Sequence, residues 1–213
     1  MRDPESERRV NFVRDGTAVR PAPFVPEVRL YTATEVTPLW EATAEWLEQR
    51  GAAIPFWAVP WAGGQALARY ILDRPDTVRG LSVLDFGTGG GVVAIAAKLA
   101  GARSVLAVDV DPIACTAAKL NAEVNGVAIE IACADLVGEA IATEIILAGD
   151  IWYEEAAARR FEAWLIRQSA RVLTGDPGRA YPPARARVLA TYEVPTSIEL
   201  ESAPMRTSRV LEL

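Results

Sequence analysis

The sequence contains no histidine. That removes serine–histidine–aspartate and cysteine–histidine catalysis, along with any metal site that depends on imidazole. Cysteine is scarce as well. Cys115 and Cys133 are the only two and form no CxxC pair, so they read as small, buried, reduced residues. Among 22 basic residues only Lys98 and Lys119 are lysines, and 28 acidic residues bring the net charge to −6. That balance argues against a nucleic-acid binder relying on bulk positive charge, although a local basic groove remains open. No apolar run reaches the ~20 residues of a membrane span, and the opening MRDPESERRV lacks an apolar signal core. The Arg-rich start also carries Asp3, Glu5, Glu7 and Asp15, which weaken a transit-peptide reading. The expectation is a cytoplasmic protein with no membrane, metal or nucleic-acid partner.

What is there is ordinary globular material: 213 residues, 51% hydrophobic and 23% charged, enough for one domain with a short extension. Residues 1–30 are polar and then punctuated by Pro21, Pro23 and Pro26, which suggests an extended arm. Leu39, Ala42, Thr43, Trp46 and Leu47 follow helical spacing over 37–50, with Thr37 as cap and Pro38 in the first turn. A second helix is expected over 63–73. From residue 81 strands and helices alternate: LSVLDF, SVLAVDV, AIEIACA, EIILAGD and ARVLTGD read as strands. Between them VVAIAAKLA, a helix opening at Asp111-Pro112, and residues 154–170 read as helices. Residues 182–190 suggest a short helix, and 191–213 two strands forming a closing antiparallel hairpin. Such alternation means a parallel sheet covered on both faces, an α/β fold. The division expected is an arm and helix over 1–60 and one compact domain over 61–213.

The first strand runs into DFGTGGG, Asp85 to Gly91, which opens a helix. Glycines let the backbone turn and approach a ligand, and the helix N-terminus offers free N–H groups to an anion. The spacing Gly87, Gly89, Gly91 is GxGxG, and the final glycine of a dinucleotide fingerprint is replaced by Val92. No Lys-Ser/Thr follows, so it is not a phosphate-binding P-loop. Asp85 with GxGxG is the pattern of an S-adenosylmethionine (SAM) site. Asp109 ends the second strand about 20 residues on, placed to accept both hydroxyls of a ribose. Asp111 reads as a helix cap. Asp135, after the third strand, is placed either to accept from an adenine amino group or to close its own loop.

The fourth strand ends in AGDIWYEE, where Asp150 and Tyr153 form D-x-x-Y. A carboxylate and a phenol so spaced can orient an amine; alternatively Asp150 caps the next helix while Trp152 and Tyr153 pack. The segments PFWAVPWAGGQALARYILD, VRGLSVLDFGTGGGVVAIAAKLAGA, VDVDPIACTAAKLNAEVNGV, LAGDIWYE and TGDPGRAY resemble lysine methyltransferases that act on the electron-transfer flavoprotein β-subunit. The likeness, to the bacterial form of that seven-β-strand, D-x-x-Y subgroup, runs from about Val25 to the C-terminus. WAGGQALARY, GDIWYE and GDPGR carry its specificity.

The resemblance implies a three-layer, Rossmann-like, seven-stranded methyltransferase sheet with a C-terminal antiparallel hairpin and an N-terminal helical extension. By the same resemblance Trp61 packs on SAM, Gly87 and Gly89 line its methionine part, Asp109 holds the ribose and Asp135 the adenine. Asp150 and Tyr153 border a lysine channel, Trp152 lies beside the cofactor, and Arg179 contacts the protein substrate or closes a turn beside Asp176. Gly90 and Gly91 stand where relatives are expected to carry more serine, which should loosen the loop slightly. Methyl transfer to an amine is a direct displacement needing no metal and no covalent enzyme intermediate, which suits a histidine-free chain. Alternatives are a ribosomal-protein lysine or a small-molecule nitrogen as acceptor, or a non-catalytic SAM-binding module. Val92 and the missing histidine disfavour an NAD-linked oxidoreductase.

Overall fold

The computed structural model describes residues 4–33 and 55–213; the helix expected over 37–50 lies outside the described residues. The strands from residue 82 onward assemble as expected from their composition. β3 (Ser82–Phe86), β4 (Ser104–Asp109), β5 (Glu130–Cys133), β6 (Ile145–Gly149) and β7 (Arg171–Asp176) lie parallel. β9 (Met205–Glu212) inserts antiparallel between β7 and the edge strand β8 (Arg187–Pro195), giving the seven-stranded order β5-β4-β3-β6-β7-β9-β8.

Side chains alternate across this sheet with a period of two. Val83, Ala107, Ile145, Leu147 and Leu173 face one apolar layer, against Leu67 and Ile71 of α2 (Ala62–Asp73) and Val93 and Ala96 of α3 (Val92–Leu99). Leu84, Phe86, Val108, Ile146 and Val172 face the other, against Trp164 and Leu165 of α5 (Glu155–Leu165). Burial on both faces is why these strands read as apolar runs without a polar side. α4 (Pro112–Val124) begins as its sequence demands: Asp111 accepts the Ile113 N–H at 2.8 Å, with Pro112 in the first turn.

Three expectations are corrected. Within residues 1–30, Pro4–Gly16 is a helix, α1, and Thr17–Ala22 (β1) pairs antiparallel with Val25–Ala33 (β2). Neither is a free arm: Val13 joins Ile113, Ala117 and Trp57, while Ala22, Val25, Val28 and Leu30 join the layer containing α2 and α3. The segment 182–190 holds no helix; Arg187 onward is strand, and the connection from β8 to β9 carries the one-turn helix α6 (Ile198–Glu201). The helix expected over 154–170 is shorter, its N-cap being Glu154, whose carboxylate accepts from Ala156 and Ala157.

Candidate active site

In this sheet β4 and β5 lie to one side of β3, while β6 and β7 lie to the other. The connections leaving β3 and β6 therefore diverge, and a crevice forms at their carboxyl ends, where doubly wound sheets take their ligands. Gly87 and Gly89 turn the backbone there at φ of 67° and 51°, the left-handed region that favours glycine. A Cβ on Gly87 would stand 3.1 Å from Ile151 Cγ2, so the glycine loop lies directly against the loop after β6.

Asp85 works inside this turn. Its Oδ2 accepts from Thr88 Oγ1 at 2.5 Å and from the Ala94 N–H at 3.1 Å, tying the loop to the first turn of α3. Burial pushes its carboxyl up to about 7. Asp109 spans the crevice floor: Oδ2 accepts the Gly89 N–H at 2.9 Å and Oδ1 the Asp111 N–H at 3.0 Å. Burial raises its pKa too. Asp135 is exposed, and its oxygens take the Val137 N–H at 3.0 Å and Arg160 at 2.7 Å. Those two partners, Val137 first, hold its carboxyl below the usual range.

Gly90 and Gly91 stand where a side chain is disfavoured. A Cβ on Gly90 would lie 2.7 Å from the Trp57 carbonyl oxygen, and Gly91 has φ 84°. Asn121 of α4, fully buried, donates to the Gly90 carbonyl at 2.8 Å and accepts the Tyr31 N–H at 2.7 Å. Sequence reading did not single out Asn121; its signal was one polar residue on the inner stripe of an apolar helix.

Asp150 leaves β6 with φ 60°, a conformation uncommon outside glycine, asparagine and aspartate. Its N–H donates to Gly175 O at 2.8 Å. Its Oδ2 accepts the Gly63 N–H at 2.9 Å and its Oδ1 accepts from Arg179 Nε at 2.6 Å. The cap of α5 is Glu154, so capping does not explain Asp150. Burial raises the Asp150 carboxyl, opposed by Arg179 and then by the Gly63 N–H.

Arg179 takes the turn-closing role expected of its motif and reaches further. Its N–H closes the turn onto Asp176 at 3.0 Å, while its guanidinium grips Glu201 of α6 through two bonds of 2.8 and 3.1 Å. Burial disfavours its charge, yet Asp150 and Glu201 hold its pKa above the ordinary value. The guanidinium lies 5.5 Å from the centre of the Trp61 ring. Trp61 in turn donates to Phe56 O at 2.8 Å, and the Phe56 ring is 5.3 Å from that of Tyr153. Tyr153 is half-exposed, with its phenol pushed up by burial and by the Asp109, Asp150 and Glu154 carboxylates. Trp152 is fully buried with the α5 layer and donates to Thr174 Oγ1 at 2.8 Å. The aromatic side chain beside Tyr153 is thus Phe56, which sequence reading passed over because nothing in PFWAVPW distinguishes its rings.

The motifs that carry the resemblance touch one another. A Cβ on Gly175 would be 2.0 Å from Gly63 O, and one on Gly149 would be 2.8 Å from Gly64 Cα. Only glycines at these places let the N-terminus of α2 rest on the ends of β6 and β7. WAGG, GDIWYE and GDPGR are thus parts of one packed joint.

Residues 65–151 match the model of the ribosomal protein L11 methyltransferase (PrmA) family. The electron transfer flavoprotein beta subunit lysine methyltransferase of Danio rerio is 38% identical over 212 residues, covering 94% of this chain and 81% of that one. The Homo sapiens protein of the same description is 40% identical over 184 residues, 83% and 68% of the two chains. A T. thermophilus 16S rRNA methyltransferase solved with AdoMet and guanosine superposes with a TM-score of 0.50 at 19% identity, covering 71% of this chain and 42% of that one. These relatives define a SAM-dependent methyltransferase, and the sheet is of the Rossmann-like, seven-stranded kind that the solved structure shares. Within that class, the chain belongs to the electron transfer flavoprotein beta subunit lysine methyltransferase family. The residues present fit the cofactor: a glycine floor in left-handed backbone and a carboxylate, Asp109, at the adjoining strand end.

Proposed function

We propose that this chain methylates lysine side chains of the electron-transfer flavoprotein β-subunit, in the cytoplasm. The observation that carries the reading is the joint of WAGG, GDIWYE and GDPGR. It holds Asp150 beside the SAM crevice, with the phenol of Tyr153 half-open to solvent and within the electrostatic reach of Asp109. An open mouth of this kind suits a side chain presented by another protein. A ribosomal-protein lysine is the second reading, favoured by the family match over 65–151. That match ends before Arg179 and Glu201, so it covers the cofactor half and not the whole acceptor joint. The division into a methyltransferase domain over 61–213 and an extension over 1–60 belongs to the same proposal. Among the described residues no helix is long and apolar enough to cross a membrane.

When bound, SAM supplies an electrophilic methyl carbon on a sulfonium. The chain's residues must then bind, orient and desolvate the amine. Asp109 is assigned to the ribose hydroxyls, with Gly87 and Gly89 under the methionine part, Asp85 bracing the turn and Trp61 as a wall nearby. Trp152, buried beneath in the α5 layer, backs the acceptor loop and does not face the cofactor. Asp135 at the β5 end is carried as an adenine contact, which requires its bond to Arg160 to open. Lysine in water has a pKa of about 10.4, so the reactive neutral amine is rare at neutral pH. Phe56 and Tyr153 form an apolar approach that disfavours ammonium. Asp150 and the Tyr153 hydroxyl accept or donate hydrogen bonds that aim the nitrogen, and its proton leaves to water before attack.

The test is labelled SAM with purified flavoprotein β-subunit and, in parallel, ribosomal protein L11. Label on lysines of the former supports the proposal; label confined to L11 transfers it to the second reading. Asp150→Asn, which keeps a residue tolerant of left-handed backbone, should lower turnover at least ~100-fold with SAM affinity nearly intact. Asp109→Ala should instead weaken SAM binding severely by calorimetry.

A further inference from the structure

A carboxylate beside the acceptor poses a chemical problem. An anion stabilises the lysine as ammonium, which has no lone pair to attack with. Asp150 therefore works against the reaction it orients unless its charge is offset. The structure supplies the offset from a distant part of the chain. Asp150 and Glu201 have side chains only 4% exposed, and Arg179 between them is 20% exposed. Arg179 gives Nε to Asp150 and both terminal nitrogens to Glu201. Glu201 also receives Arg206, whose Nε lies 3.3 Å from Oε2. Two carboxylates and two guanidiniums thus form one neutral cluster, buried at Asp150 and Glu201 and open to solvent at Arg206, and Trp61 covers the central guanidinium.

We infer that Arg179, braced by Glu201, is a positioning residue that fixes the Asp150 carboxylate and cancels its charge, so that the lysine meets an oriented acceptor without a net anion. This rests on the lysine-methylation reading. Each carboxylate oxygen has about two acceptor directions, and each oxygen of Asp150 uses one, on Gly63 and on Arg179. A direction on each remains for an amine N–H. Arginine suits this place because it does not lose its proton in proteins. The other charged or titratable groups near the cluster are Tyr153 and Glu154 on the same loop, Asp109 across the crevice, and Asp176 with Arg209 at the end of β7. Glu201 comes from the connection between β8 and β9, so the C-terminal hairpin takes part in setting the acceptor's protonation.

The test is the pH dependence of kcat at saturating SAM and flavoprotein β-subunit, whose rising limb reports loss of the proton from the bound lysine. Arg179→Gln should move that limb up by about one pH unit or more, with the deficit largest at neutral pH and recovering in alkali. Glu201→Gln should move it down, because Arg179 is then less compensated, and Arg179→Lys should fall between Arg179→Gln and the parent. SAM affinity by calorimetry should change less than about threefold in all three, since no cofactor contact is touched. Lower turnover with an unmoved limb would reduce the cluster to a brace and overturn the inference. A second arm needs no turnover. Adding Asp150→Asn to Arg179→Gln should restore melting temperature, because the stranded buried carboxylate is removed; purely additive losses would equally overturn the charge link. If the parent methylates no lysine, the lysine reading fails while the melting arm still decides the cluster.

Discussion

The aspartates at the strand ends show how one side-chain type takes different work from different partners. Asp135 has a cation and solvent; Asp109 has two backbone N–H groups; Asp150 has a guanidinium and the N-terminus of a helix. Asp85 has one hydroxyl and one N–H and is only 1% exposed, which is too little to keep a carboxylate fully ionised at neutral pH. Burial raises it to about 7, with Asp109 adding to the rise. The native state therefore keeps a proton that the unfolded chain releases near pH 4. This group's contribution to stability is complete below pH 4 and is lost as pH rises through about 7. At one pKa unit per 1.36 kcal/mol the loss is at most about 4 kcal/mol. Asp85→Asn preserves an oxygen acceptor for Thr88 and Ala94 and removes the titration. Its stability relative to the parent should rise between pH 5 and pH 8, read by denaturant unfolding at both. Equal slopes for the two proteins would show that Asp85 ionises freely in the fold.

At the scale of elements, the joint between α2 and the ends of β6 and β7 depends on backbone touching backbone. Gly175 and Gly178 make a contrast within one short segment. A methyl on Gly175 meets Gly63 O at 2.0 Å, while one on Gly178, at φ 79°, meets nothing within 4 Å. Gly178→Ala should cost only the left-handed penalty of about 1 kcal/mol. Gly175→Ala must push α2 off the sheet and displace the Gly63 N–H from Asp150; it should cost more than ~3 kcal/mol and abolish methyl transfer. Chemical denaturation of the two proteins side by side checks this, and near-equal losses would mean that α2 has room to shift. Elements like β3, β4 and α4 were legible because burial on both faces and a cap leave marks in sequence: SVLDF is apolar apart from Ser82 and Asp85, and Asp111-Pro112 starts a helix on sight. α1 left little mark, since PESERRVNFVRDG buries fully only Val13. β8 was misread because RVLATYEVP, at a sheet edge, mixes exposed and half-buried positions without clean alternation. The D-x-x-Y and glycine motifs pointed to the candidate crevice, but the buried partners of Asp150 did not show. Glu201 and Arg206 lie 51 and more residues past Asp150 and reach it only because β9 inserts beside β7.

Across the whole molecule, the cofactor loop stands on a stack that begins at the N-terminal helix. Val13 is fully buried against the layer holding Ile113, Ala117, Leu120 and Trp57, and Phe12 meets the Trp57 ring edge-on at 6.3 Å. Trp57 presents its carbonyl to Gly90, and Asn121 fastens Gly90 to β2. The loop is thus held from beneath, and α1 and the β1–β2 hairpin are expected to take part in binding through it. Val13→Ala removes two buried methyl groups and should cost roughly 1–3 kcal/mol of stability. Since SAM binds only the ordered loop, part of that loss should appear as weaker affinity. The dissociation constant should rise several-fold, while kcat at saturating SAM and protein substrate stays within about twofold, because Asp150 and its partners are untouched. Calorimetry on the folded variant, with melting curves in the presence and absence of SAM, separates the two effects. A melting temperature lowered with unchanged SAM affinity would confine α1 to stability; a lowered kcat at saturation would mean that the stack extends to the acceptor loop, which Ile151 touches at Gly87.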